Sequence, residues 1–267
     1  MWNTVPVTWW IQYRYIVSKL GIDESLDRFA TRVLSELLRG FQPDVFSVLN
    51  SLEKALRGGV AIVMGAGPSL ERQVHELHVL GVFDECHTVI ADGVARLVRK
   101  YNVIPSVIVT DLDGEDGSIL ELGLRGAIVA LHAHGDNIDK VMEWIPQARR
   151  YRVRILGTTQ VEPTDNVINI GGFTDGDRAF VLTLRFHPRT VILVGMDFGD
   201  VVGPYSKPWL YQAVKADERK RIKLEIAKQI IENAACSSRS EIYTLSTTDV
   251  DCIHRVDIRE VLQVLRS

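Results

Sequence analysis

The sequence predicts an α/β fold: a doubly wound, mostly parallel sheet with helices on both faces, plus a small helical N-terminal region. Three observations carry this. From Val60 onward, short apolar, β-rich runs alternate with helical segments, as in successive βαβ units. Most of the runs are continuous rather than alternating, as expected for strands covered on both faces. Residues 1–57 look different, with helical spacing and no such runs after the aromatic start.

The N-terminal region divides at 57. Leu26, Phe29, Val33, Leu34 and Leu37 fall at helical spacing, and Asp23 can cap that helix. A second helix runs from Asp44 to about Arg57 and ends at Gly58-Gly59. Residues 58–267 form the α/β domain. Its predicted strands are Val60–Met64, Thr88–Ala91, Val107–Val109, Ile128–Leu131, Val153–Leu156, Val167–Ile170 and Val191–Val194, with Ile242–Leu245 as an edge strand. Helices are expected over Leu70–Leu80, Ala95–Tyr101, Ile138–Ile145, Arg178–Phe186 and Tyr211–Ala235. Asp257-Ile258-Arg259-Glu260 reads as a capping box that opens a last helix.

Composition narrows the function classes. The chain has 267 residues and a net charge of −3, which gives no electrostatic case for a nucleic-acid partner. Cys86, Cys236 and Cys252 are far apart and show no CxxC spacing, so buried or free thiols are expected rather than a disulfide framework or zinc cluster. The aromatic N-terminus lacks a basic leader and a cleavage site, and Arg14 interrupts it. No stretch suits a membrane span, and a cytoplasmic location is expected. Trp2, Trp9 and Trp10 are available to cover the sheet or to form a contact in a homo-oligomer.

The chemistry collects after the strands, at the edge where open α/β sheets bind ligands. Gly65-Ala66-Gly67-Pro68-Ser69 joins a strand to a helix; glycine lets the backbone approach a ligand, and the helix N-terminus suits a phosphate. It is neither a Walker A motif nor a full GxGxxG. Asp92-Gly93 follows the next strand. In Thr110-Asp111-Leu112-Asp113-Gly114, an extended segment would aim Asp111 and Asp113 at one point, and a divalent cation would relieve their repulsion. Asp136, on the next tip, could complete that site. His132 and His134 alternate in the same way, but no third ligand sits at zinc-like spacing. No GxSxG elbow is present. Lys220 and Lys223 on the charged helix are available to a polyphosphate.

Two families resemble this pattern. Ile90-Ala91-Asp92-Gly93 followed by Thr110-Asp111-Leu112-Asp113 is similar to the ADGGAN and DFDS segments of thiamine pyrophosphokinases. Here Val94-Ala95-Arg96 follows the first, and Gly114 replaces the serine of the second. The fuller set looks closer to the archaeal 6-hydroxymethyl-7,8-dihydropterin pyrophosphokinases. It comprises Gly65 to Leu70, Thr110 to Gly114, His132-Ala133-His134-Gly135-Asp136-Asn137, Gly172-Phe173-Thr174-Asp175-Gly176-Asp177-Arg178 and Gly195-Met196-Asp197, and spans about residues 58–235.

The resemblance implies a Rossmann-like pyrophosphokinase domain that transfers diphosphate from ATP to a pterin hydroxymethyl group and releases AMP. Asp111, Asp113 and Asp136 would hold Mg2+, and Asp136 or His134 would take the hydroxyl proton. Gly65, Ala66, Gly67, Pro68 and Ser69, with Asp92 and Gly93, would shape the nucleotide pocket. Asn137, Phe173, Thr174, Asp175 and Asp197 are candidates for the pterin slot. Thiamine or another hydroxymethyl heterocycle is the alternative acceptor, and a non-catalytic nucleotide-binding module is the alternative class.

Overall fold

In the computed structural model, residues 5–114 and 116–266 are described. Three helices come first: α1 (Val7–Leu20), α2 (Glu24–Leu37) and α3 (Val45–Leu56). The βα alternation follows as β1 (Val60–Met64), α4 (Leu70–Val79), β2 (His87–Ala91), α5 (Ala95–Lys100), β3 (Val107–Thr110), α6 (Ser118–Leu124), β4 (Ile128–His132), α7 (Ile138–Arg150) and β5 (Arg154–Thr159). After β6 (Val167–Asn169) come α8 (Asp175–Leu184) and β7 (Thr190–Val194). The remainder is β8 (Val201–Val202), β9 (Val214–Lys215), α9 (Glu218–Cys236), β10 (Glu241–Thr244), β11 (His254–Arg255) and α10 (Val261–Arg266).

Nine strands form one sheet in the order β11-β10-β7-β1-β2-β3-β4-β5-β6, and every pairing in it is parallel. The continuous apolar runs are explained by burial on both faces. Ile62 and Met64 of β1 join one core with α2, α4, α5, α6 and α7, while Ala61 and Val63 join the other with α3, α8 and α9. The chain steps outward from β1 to β6, then α8 crosses back over β3, β2 and β1 to deliver β7 on the far side of β1. The order therefore reverses between β1 and β7, which opens a crevice at their C-terminal ends.

Several local expectations are corrected. The α2 helix is capped by Asp23 as anticipated, but its buried face only partly coincides with the expected apolar stripe: Leu34 is buried and Leu37 packs against the core. Leu26 and Phe29 are 46% and 55% exposed, whereas Asp27 is 2% exposed. A polar network, described below, holds that face inward. The helix expected from Tyr211 begins only at Glu218, because residues 211–217 first pass through β9. The α8 helix starts earlier than its apolar spacing suggested, at a capping box formed by Thr174 and Asp177. The β10 strand is not the edge, since β11 flanks it.

Cys236 and Cys252 form a disulfide, with Cα atoms 5.1 Å apart. Pairing them needs the end of α9 beside the turn before β11, which spacing alone does not reveal. Cys86 is the free thiol, and burial pushes it up to about 12.

Trp9 is buried against Val161, Phe173 and the α9 residues Ile226 and Ile230, with Trp10 packed beside it; Trp2 lies outside the described residues. Among the described residues no helix is long and apolar enough to cross a membrane.

Candidate active site

At the β1/β7 switch point lies a cleft floored by the tips after β1, β2, β3 and β7 and by the start of α8. Its far wall is α9 and a strap, residues 198–216, that carries β8 and β9.

The glycine tips are used differently from the expectation. A side chain at Gly67 would strike Asp197 and the Gly195 carbonyl, and one at Gly93 would strike the Tyr205 carbonyl of the strap. These glycines let protein backbone, not only a ligand, approach closely. Ser69 makes no capping bond. Its amide and hydroxyl donate to Asp197 Oδ2 at 2.8 and 2.7 Å, and Ser246 Oγ donates to Oδ1 at 2.9 Å. Asp197 thus clamps the β1 tip to β7 and the segment after β10, and the Ser69 amide is already taken.

The acidic cluster draws its members from three separate tips. Leu112 has φ 65, a left-handed conformation that costs a leucine about 1–2 kcal/mol. The Leu112 amide donates to Thr110 Oγ1 at 2.7 Å and the Asp113 amide donates to Asp111 Oδ1 at 2.9 Å. This tight turn breaks the extended alternation. Asp113 instead accepts from Lys140 and Lys207, both at 2.6 Å. Asp111 joins Asp92 and Asp175, whose oxygens all lie within 4.8 Å of one another.

Asp92 and Asp111 are each held from the neighbouring tip, and Asp175 is flanked by an arginine of its own helix. Asp92 Oδ2 accepts from Thr110 Oγ1 at 3.0 Å and from the Gly114 amide at 3.1 Å. His134 Nδ1 accepts from the Asp136 amide at 3.2 Å, which leaves Nε2 as the nitrogen carrying a proton, 3.4 Å from Asp111 Oδ2. Asp175 opens α8, reached through Gly171 and Gly172 at φ 78 and 81, and Arg178 Nη1 lies 3.6 Å away. Burial opposes charge on Asp111, but His134 and Arg178 overcome it and hold that carboxyl low. Burial, then repulsion from Asp111 and Asp92, pushes Asp175 well above the usual carboxylate range.

Cations face this cluster. Burial and neighbouring cations lower both Lys220 and Lys223, whereas Asp113 holds Lys207 up against its burial. The strap that delivers Lys207 is tied down by Arg96, which donates to the carbonyls of Pro204, Lys207 and Pro208 at 3.3, 2.9 and 3.2 Å.

Of the residues singled out from sequence, Gly65, Ala66, Gly67, Asp92, Gly93, Asp111, Asp113, Phe173, Thr174, Asp175 and Asp197 line the cleft. Pro68, Ser69, His134, Asp136 and Asn137 do not. Asp136 is exposed. Asn137 Nδ2 donates to the Asp111 and His132 carbonyls at 2.8 and 2.7 Å, binding the β3 and β4 tips together. Arg178 and Lys207 line the cleft and had no assigned role. Arg178 stood in the Gly172–Arg178 segment, but Lys207 lies in a stretch with no motif.

A family model described as 6-hydroxymethylpterin diphosphokinase MptE-like matches residues 34–203. Proteins named 6-hydroxymethyl-7,8-dihydropterin pyrophosphokinase are similar along most of the chain. The one from Pyrococcus furiosus is 37% identical over 88% of this chain and 96% of its own. Those from Methanocaldococcus jannaschii and Methanothermobacter thermautotrophicus are 34% and 37% identical, each over 84% of this chain and 92% of their own. The chain belongs to the MptE-like 6-hydroxymethylpterin diphosphokinase family.

Proposed function

We propose that this chain transfers the β,γ-diphosphate of ATP to the hydroxymethyl group of 6-hydroxymethyl-7,8-dihydropterin and releases AMP, with Mg2+ held by Asp92, Asp111 and Asp175. The observation that carries the reading is the convergence of these three carboxylates from separate tips, opposite the cations of α8, α9 and the strap. The relatives' names support the acceptor.

The donor set fits Mg2+. It is three hard carboxylate oxygens with no thiol or imidazole among them, and a cation would relieve the repulsion that burdens Asp175. When bound, the metal neutralises charge on the phosphate oxygens. In the reaction the acceptor hydroxyl gives up its proton to solvent, its oxygen bonds to the β-phosphorus, the bond to the oxygen bridging to the α-phosphate breaks, and AMP leaves. Such chemistry asks mainly for positioning and charge neutralisation. Lys220 and Lys223 line the cleft from α9, and a polyphosphate would answer the charge that burial and neighbouring cations disfavour. Lys207 is fixed by Asp113, and Arg178 by Asp175 and the network behind it. Asp113 therefore serves as the support of a lysine rather than as a metal ligand.

The test is AMP release from ATP and Mg2+ with a panel of acceptors. The reading expects AMP with 6-hydroxymethyl-7,8-dihydropterin and little with thiamine. AMP formed equally with thiamine, or none with the pterin, would reject it.

A further inference from the structure

Behind the cleft, a buried carboxylate of the N-terminal region reaches both sides of the aspartate cluster. Asp27 of α2 is 2% exposed, and Gln160 and Arg178 are each 3% exposed. Asp27 Oδ2 accepts from Gln160 Nε2 at 2.6 Å and from the Tyr13 hydroxyl at 2.7 Å. Gln160 Oε1 accepts from Arg178 Nη2 at 3.0 Å. The amide orientation is forced, because a carboxylate only accepts and a guanidinium only donates. This arm ends at Asp175, beside Arg178. The second arm starts at Asp27 Oδ1, which accepts from the Gly135 amide at 2.9 Å. Gly135 follows His134, whose Nε2 faces Asp111.

We infer that Asp27 is a positioning residue of the active site: through Gln160 it orients Arg178 beside Asp175, and through Gly135 it orients His134 beside Asp111. The inference rests on the aspartate cluster being the metal site. It gives one residue of α2 a part in positioning the site, and it accounts for a buried acid on a helix face that apolar residues would otherwise fill. Among the described residues no cation touches Asp27, so its burial is costly, and the three donated hydrogen bonds offset that cost only when all three are made. An asparagine at this position would turn an N–H toward one of the three donors and break an arm.

The experiment compares Asp27→Asn, Gln160→Met and Tyr13→Phe in the full chain. Mn2+ affinity is read by electron paramagnetic resonance, kcat and KM for ATP by AMP release, and folding by circular dichroism and thermal unfolding. Tyr13→Phe removes a hydrogen bond from Asp27 but touches neither arm. Asp27→Asn and Gln160→Met are expected to weaken Mn2+ binding and lower kcat by about tenfold or more, the scale seen when groups supporting metal ligands are removed. Tyr13→Phe is expected to lose thermal stability while keeping Mn2+ affinity and kcat near wild type. If Asp27→Asn does not fold, Gln160→Met carries the test. A folded Gln160→Met with wild-type Mn2+ affinity and kcat would overturn the inference. Should the wild type release no AMP with any acceptor, the proposed reaction fails, and the Mn2+ affinities still decide the role of Asp27.

Discussion

The carboxylates of Asp111 and Asp175 bring oxygens within 4.8 Å of each other, although one follows β3 and the other opens α8 after the edge strand β6. Two strands, β4 and β5, separate β3 from the β6 edge. The two left-handed glycines, Gly171 and Gly172, turn the chain back so that α8 lies over β1 to β3 with its first residue at the cluster.

Lys220 and Lys223 are expected to bind substrate at a cost to the empty protein. Replacing either with glutamine should raise KM for ATP about tenfold with a smaller change in kcat. Because burial and neighbouring cations already disfavour their charge, the same substitutions should leave the melting temperature equal or slightly higher. Steady-state kinetics with thermal unfolding checks both. A raised kcat defect with unchanged KM would remove the lysines from ATP binding.

The fold was largely legible in the sequence, and the site only in part. Strand and helix types follow from apolar runs such as Val60–Met64 and from caps such as Asp23 and Asp257. Which tips become neighbours depends on strand order, which local pattern does not encode. The pairing of Asp92, Asp111 and Asp175 was therefore out of reach, although all three had been singled out. The convergence of Asp111 with Asp92 and Asp175 rather than with Asp113 depends on the left-handed turn at Leu112, which spacing cannot show. Asp27 was hidden for a related reason: periodicity follows apolar residues, and the buried face of α2 is partly polar.

Divalent cation should stabilise the fold through the cluster. With Mg2+ or Mn2+ at a hundred times its dissociation constant, stabilisation of about 2.7 kcal/mol is expected, a rise of roughly 5 °C or more in melting temperature. Asp175→Asn should abolish this shift, and a chelator should return the wild type to its metal-free value. Differential scanning fluorimetry reads it. An equal shift in Asp175→Asn would place the cation elsewhere.

The disulfide Cys236–Cys252 closes a short loop of sequence separation 16, and its loss should cost about 3 kcal/mol. Cys236 lies beyond the cleft residue Ala227 by roughly 13 Å along α9. Cys252→Ser should therefore lower the unfolding free energy in denaturant while leaving kcat and KM unchanged at temperatures where the protein is folded. A large fall in kcat for the folded variant would contradict this separation.

The central claim is that three aspartates from separate tips, not the adjacent pair, form the metal site. The most direct measurement is kcat for AMP release by Asp175→Asn beside that of Asp113→Asn, with both shown to be folded. The account predicts a fall of roughly a hundredfold or more for Asp175→Asn, the scale of losing one preorganised electrostatic contact. It predicts a smaller fall for Asp113→Asn, expressed mainly in KM for ATP through the loosened Lys207. A near-normal kcat for Asp175→Asn with a collapsed kcat for Asp113→Asn would contradict it.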